Sequence, residues 1–287
     1  MKNYAASVRA KLTVVANREN VRFQQIVMRF LHERLLYRLA QSRFSENFCL
    51  KGGTLFYAME GLTARPTKDL DLLGRRISNT PEHLGTVFQE ICEIVCEADG
   101  VIFEKDKIEV SEIVKEGDYR GTRLLLSVQL GQIREKIQVD IGFGDKIVPR
   151  PVHMIFPVIL DLPAPELLCY SIESVIAEKF HAMIALSEIN SRMKDFYDLS
   201  RLLQPGRYDL ETLKSAVKET FQTRQTKYPI AHPLFTVDFG ENVNRQQQWN
   251  VFLQKSKLNE IDFREVHQQI WEIMEPINRA LSKENDV

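Results

Sequence analysis

KGGTLFYAMEGLTARPTKDLDLLG, residues Lys51 to Gly74, joins a pair of glycines to a pair of aspartates. The apolar lead-in Phe48-Cys49-Leu50 reads as a strand that stops at Gly52-Gly53-Thr54. Leu55 to Leu62 is long enough for a short helix, with Gly61 near its end. In Asp69-Leu70-Asp71-Leu72 successive side chains alternate faces, so the two acids share one face and the two leucines the other. Carboxylates that close repel, and one is driven to protonate unless a cation neutralises them. A hard divalent cation such as Mg2+ takes carboxylate oxygens together with substrate phosphates. Two glycines let the backbone approach a ligand closely, and Thr54 adds a hydroxyl beside the N–H groups of a helix start, which is an anion site. Either half alone reads as a tight turn or an exposed acidic strand. Together, at this spacing, they favour a phosphate cradle beside a metal clamp.

The chain of 287 residues is 44% hydrophobic and 27% charged, an ordinary globular composition with room for one large domain or two modest ones. It has no run of eighteen apolar residues, so no membrane-spanning helix is expected. The start, MKNYAASVRAKL, lacks the apolar segment of a secretory signal. Cys49, Cys92, Cys96 and Cys169 follow no metal-ligand spacing and are expected as reduced thiols of a cytoplasmic protein. Net charge is −1, unevenly spread: residues 1–50 carry nine Lys/Arg against three Glu, a balance of +6, leaving −7 for the remainder. That asymmetry suits nucleic-acid contact by the N-terminal part, and equally a solvated helix face.

Residues 5–16 and 20–42 read as helices. In the second, Phe23, Ile26, Val27 and Phe30 form a core-facing stripe. Arg18, Arg22 and Arg29 lie on another line with Gln25 and His32, a row able to track a phosphate backbone, with His32 expected to be exposed. Thr80-Pro81 starts a helix that should reach about Ala98. Val101 to Val114 has strand-like alternation, and Gly117-Asp118 marks a turn. Arg123 to Leu130 and Lys136 to Phe143 are strands joined by a hairpin at Gly131-Gln132. Asp140 lies in the second of them, on the face away from Ile137, Val139 and Ile141, and is a candidate third metal carboxylate. Gly142-Phe-Gly144 lacks the third glycine and following helix of a dinucleotide site.

Five prolines between 149 and 165 suggest a linker. The boundary is therefore placed at residue 150, between an N-terminal lobe, 1–150, and a mainly helical C-terminal lobe, 151–287. Helices are expected at about 171–188, 193–203, 209–223, 246–256 and 261–282, with an irregular stretch from Gln222 to Asn244. In the first of them Lys179 falls inside the apolar stripe of Val175, Ile176 and Met183, where an ammonium is costly unless it snorkels or meets an anion. His181 lies off the stripe. Asp195 and Asp198, in Arg192-Met-Lys-Asp195-Phe-Tyr-Asp198-Leu, share a helix face.

Gly52-Gly53-Thr54 with Asp69-x-Asp71 resembles the first signature of the polymerase-β-like nucleotidyltransferase superfamily. Lys51 before the glycines, Lys68 before Asp69, Ala177-Glu178-Lys179-Phe180 and Arg192-x-Lys-Asp195-Phe-Tyr-Asp198-Leu narrow the resemblance, over roughly 45–205, to the AbiEii/AbiGii toxin family. The resemblance implies an α+β fold: a mixed-sheet polymerase-β-like catalytic lobe with flanking helices, then a helical lobe. It implies an Mg2+-dependent toxin of a toxin–antitoxin or phage-exclusion system that transfers NMP from an NTP to an RNA acceptor, tRNA for some members. A cognate antitoxin encoded nearby would be the partner. Modification of a protein or small molecule, and a non-catalytic nucleotide-binding module, are the alternatives. In the implied site Asp69, Asp71 and Asp140 hold metal. Lys51, Gly52, Gly53, Thr54 and Lys68 hold the nucleotide. Lys179 neutralises developing charge, with Asp195 and Asp198 as alternative acids beside it.

Overall fold

A computed structural model describes residues 3–115, 119–187 and 192–285. The expected turn at Gly117-Asp118 lies outside the described residues. Two compact units emerge, one of residues 1–144 and 151–169, the other of 145–150 and 170–287.

The first unit opens with helices α1 (Tyr4–Arg18) and α2 (Phe23–Gln41), followed by β1 (Phe48–Lys51), α3 (Gly52–Glu60), β2 (Asp69–Gly74) and α4 (Pro81–Glu93). Strands β3 (Val101–Phe103), β4 (Glu109–Lys115), β5 (Tyr119–Leu130), β6 (Ile133–Phe143), β7 (Val152–Ile155) and β8 (Glu166–Cys169) complete it. All eight strands form one mixed sheet in the order β3-β5-β6-β2-β1-β8-β7, with β4 also pairing with β5. Antiparallel β5–β6 and β1–β2 flank a parallel β2–β6 pair at the centre. Leu124, Leu126, Val128 and Leu130 of β5, Ile137, Val139 and Ile141 of β6, and Leu70 and Leu72 of β2 are all buried. Helix α2 packs against α1, α4 and the strands β6 and β8, and α4 packs against β4. The expected alternation therefore holds, and it places the acids of β2 and β6 on the other face.

Helix α2 departs from the amphipathic reading. Arg29, His32, Glu33, Arg34 and Arg38 are buried along with its apolar residues. Each buried arginine has an internal partner, as burial of a charge requires. Arg29 donates to the carbonyls of Leu62 (3.1 Å) and Ala64 (2.5 Å), which fixes the loop before β2. Arg34 meets Glu33 at 2.8 Å and donates to the Pro163 carbonyl at 2.9 Å. Arg38 holds Asp99 at 2.8 Å. The row of Arg29 and His32 is thus not a surface for a phosphate backbone, and part of the +6 balance of residues 1–50 is consumed inside the fold. His32, expected exposed, is 2% exposed and hydrogen-bonds the backbone of Lys68; burial lowers its pKa to about 4.

The proline-rich segment is also more ordered than a linker. Residues 151–169 return to the first unit, where β7 and β8 extend the sheet beside β1. The Phe156 N–H donates to the Pro165 carbonyl at 2.8 Å, and the Ile159 N–H donates to Glu33 at 2.8 Å. The division falls after Cys169, with 145–150 belonging to the second unit, because these backbone bonds hold the prolines to α2 and the sheet.

The second unit is helical: α5 (Ile172–Leu186), α6 (Met193–Leu202), α7 (Leu210–Thr223), α8 (Val237–Glu241), α9 (Val243–Ser256) and α10 (Phe263–Asn285). Helix α8 occupies part of the stretch expected to be irregular. Phe196 packs against Phe239 and Phe263, and Trp249 donates its indole N–H to the Ile261 carbonyl at 2.6 Å. His181 is buried rather than incidental, 2.7 Å from the Thr226 hydroxyl and 3.3 Å from an Arg224 guanidinium nitrogen. Burial, then the Arg224 charge, lower its pKa to about 4. A histidine that resists protonation only when folded stabilises the protein above its unfolded pKa near 6.5 and loses that contribution as pH falls towards 4. Unfolding free energy should therefore drop by about 3 kcal/mol between these values on its account. Denaturant titration at several pH values should show His181→Gln with a correspondingly shallower dependence.

Candidate active site

The candidate site in the first unit is set by strand register. Asp71 of β2 is paired with Asp140 of β6, and Asp69 lies two residues before Asp71 on the same face. One carboxylate oxygen from each of Asp69, Asp71 and Asp140 lies within 4.8 Å of the others. Asp69 and Asp71 are half-buried and Asp140 is buried. The three acids expected from sequence to share a site are thus brought together.

Helix α3 starts at this cluster. Lys51, at the end of β1, pairs with Asp71 in the β1–β2 register, and Gly52 follows with φ of +68°, in the left-handed region. A Cβ on Gly52 would lie 2.1 Å from Asp71 Oδ2, so only glycine admits the carboxylate there. A Cβ on Gly53 would meet the Thr67 hydroxyl at 2.6 Å. The two glycines therefore bring the first turn of α3 against the acidic strand. A helix start presents backbone N–H groups without helical acceptors and the positive end of the helix dipole. Gly52→Ala should cost at least about 2 kcal/mol, because Ala must adopt positive φ and displace Asp71. Thermal unfolding checks the cost.

Thr54 takes a different position from the one expected. It is 2% exposed and its hydroxyl donates to the Asp69 carbonyl at 3.1 Å, tying α3 to β2. Its hydroxyl proton is engaged within the fold. Thr67, not singled out from sequence, donates to Asp69 Oδ1 at 2.7 Å and orients that carboxylate. Lys68 immediately precedes Asp69, with its backbone hydrogen-bonded by buried His32.

Arg123 is the main residue that sequence reading missed. It stands opposite Asp140 in the β5–β6 register and grips it through both oxygens, Nε to Oδ1 at 2.8 Å and Nη2 to Oδ2 at 2.9 Å. Its hydrogen bond to Asp140, with the charges of Asp140, Asp69 and Asp71, raises its pKa. The signal existed: counting back equally from the Gly131-Gln132 hairpin places position 123 across from position 140.

The second unit holds the other expected group. Lys179 of α5 contacts Asp195 Oδ1 at 2.9 Å and Asp198 Oδ2 at 2.6 Å, both on α6. Arg192 Nε lies 2.6 Å from Asp195 Oδ2. Both acids have 0% exposure. Burial alone would raise the Asp195 pKa, but Lys179 and Arg192 outweigh it and hold the carboxyl below its usual value. Lys179 thus meets anions, and it binds both candidate acids.

Residues 34–273 match the family described as "Nucleotidyl transferase AbiEii toxin, Type IV TA system". The chain belongs to this AbiEii family. The AbiEii chain is therefore a nucleotidyltransferase of a toxin–antitoxin family, and such a family implies a cognate antitoxin. Its α+β fold is similar to that of a candidate nucleotidyltransferase from H. pylori, with 17% identity, a TM-score of 0.53, and coverage of 91% of this chain and 97% of the other. It is also similar to JHP933 from Helicobacter pylori, with 18% identity, a TM-score of 0.51, and coverage of 92% and 95%. No curated protein matches the AbiEii chain. Among the described residues no helix is long and apolar enough to cross a membrane.

Proposed function

We propose that this AbiEii chain transfers NMP from an NTP to a hydroxyl of an RNA acceptor, with tRNA as the first candidate, using Mg2+ bound at Asp69, Asp71 and Asp140. The observation that carries the metal reading is the convergence of three carboxylates against the glycine start of α3. The donor set fits the ion, since hard carboxylate oxygens at this spacing suit Mg2+ and leave further positions for phosphate. When bound, the ion supplies charge neutralisation on the triphosphate and a lowered pKa for the acceptor hydroxyl.

The chain's own groups do the remaining work. Asp69 is oriented by Thr67, and Asp71 is seated over Gly52. The backbone amides in the first turn of α3 are assigned to the phosphate oxygens, together with Lys51, which ends β1, and Lys68, which precedes Asp69. The acceptor hydroxyl releases its proton as its oxygen bonds to the α-phosphorus, the bond to the bridging oxygen breaks, and pyrophosphate leaves with the β- and γ-phosphates. Lys179, Asp195 and Asp198 are assigned to transfer on the family resemblance alone. RNA likewise rests on the resemblance, since buried Arg29, Arg34 and Arg38 reduce the basic surface of the N-terminal helices.

Incubation of the protein with each α-labelled NTP, Mg2+ and total tRNA tests the acceptor. Label on tRNA is expected, and the productive NTP identifies the donor. Label on protein, with tRNA unlabelled, would replace RNA by a protein acceptor.

A further inference from the structure

The Arg123–Asp140 pair bears on how metal enters the site, an inference that rests on the metal reading just proposed. Both oxygens of Asp140 are engaged by one guanidinium at hydrogen-bond distance, a strong bidentate geometry. Asp140 is 3% exposed. The Gln138 side-chain amide lies beside the pair, its nitrogen 3.3 Å from Asp140 Oδ1. Arg123 itself is 36% exposed, so it has room to swing away from Asp140 without unpacking the core. A guanidinium stays charged at any pH where the acids are ionised.

A fixed positive charge on one of three carboxylates opposes a second cation at the same carboxylates. It also occupies the oxygen edge through which Asp140 would take an ion. We infer that Arg123 competes with the divalent cation for Asp140, so that the nucleotide-free protein loads metal weakly. A triphosphate arriving with its own cation adds negative charge at the cluster and offers the guanidinium a new partner. Metal loading is thereby coupled to nucleotide binding, and Arg123 acts as a positioning residue for Asp140.

The alternative role for the same geometry is orientation alone, in which the arginine holds Asp140 ready and strengthens metal binding, as outer-shell partners of metal ligands do. The two roles predict opposite signs. Mn2+ is titrated into the full chain without nucleotide, and free Mn2+ is followed by its EPR signal. Arg123→Gln should bind Mn2+ about tenfold tighter than wild type, the size expected for removing one partly screened charge at this range. Arg123→Met keeps the aliphatic stem and should behave alike, which guards against loss of the Gln variant to misfolding. Arg123→Lys keeps the charge and should stay within about twofold of wild type. Equal or weaker Mn2+ binding by the Gln and Met variants overturns the inference in favour of orientation. Asp71→Asn is run alongside: if it leaves Mn2+ binding unchanged, the metal reading itself fails, independently of what Arg123 does.

Discussion

Asp71→Asn should lower nucleotidyl transfer by on the order of 1,000-fold while leaving the fold intact. Asp71 lies at the meeting point of the site's two halves. Asp71 is opposite Asp140 in the strand register, and its Oδ2 lies 2.1 Å from where a Cβ of Gly52 would be. Replacing one oxygen by an amide removes a unit of negative charge and a metal-binding atom, yet keeps the volume that fills the space over Gly52. Loss of mutual repulsion among three close carboxylates offsets part of any hydrogen bond lost. The melting temperature should therefore move by no more than about 4 °C, the shift expected for about 1 kcal/mol in a protein of this size. A variant that loses activity only in step with its melting temperature would argue for a structural role of Asp71.

Lys179→Met should have the largest effect on stability, a loss of about 3–5 kcal/mol in denaturant unfolding. Asp195 and Asp198 have no exposed surface, and Lys179 reaches both. Removing the ammonium leaves buried negative charge short of a partner, which costs far more than an exposed ion pair is worth. The pH dependence gives an independent check. In the wild type the depressed Asp195 pKa contributes stability that is full above the unfolded value near 3.9 and is lost as pH falls below it. In Lys179→Met burial gains on the remaining charge of Arg192, so this acid-side loss should shrink. Lys179→Arg keeps the charge and most of the stability. Transfer activity of that variant, compared at equal folded fraction, reports whether the ammonium itself acts in the reaction.

The parts legible from sequence are those fixed by short periods. Alternation placed Asp69 and Asp71 on one face, and the same rule placed Asp140 away from Ile137 and Val139. The glycines signalled a close approach, which the Asp71–Gly52 geometry explains. What escaped depends on tertiary neighbours. Helix α2 shows only one apolar stripe, but sheet and helices cover more of it, so Arg29, His32, Arg34 and Arg38 are buried by contacts their own segment does not encode. The strands β7 and β8 are four residues each, too short for alternation to stand out beside five prolines. A helix start suggests the Thr54 hydroxyl as a ligand donor. Its bond to the Asp69 carbonyl depends on how α3 meets β2, which local sequence does not state. Arg123 lies between these cases, since hairpin register alone was enough to find it.

The most direct test of the site follows the fate of the phosphates. Wild type and Asp71→Asn are incubated with Mg2+, total tRNA and the same NTP labelled either at the α- or at the γ-phosphate. The triad acting in nucleotidyl transfer predicts α-label on the acceptor, γ-label released in pyrophosphate, and both signals lost in Asp71→Asn. Label reaching the acceptor from the γ-phosphate, or α-label transferred equally by Asp71→Asn, would contradict it.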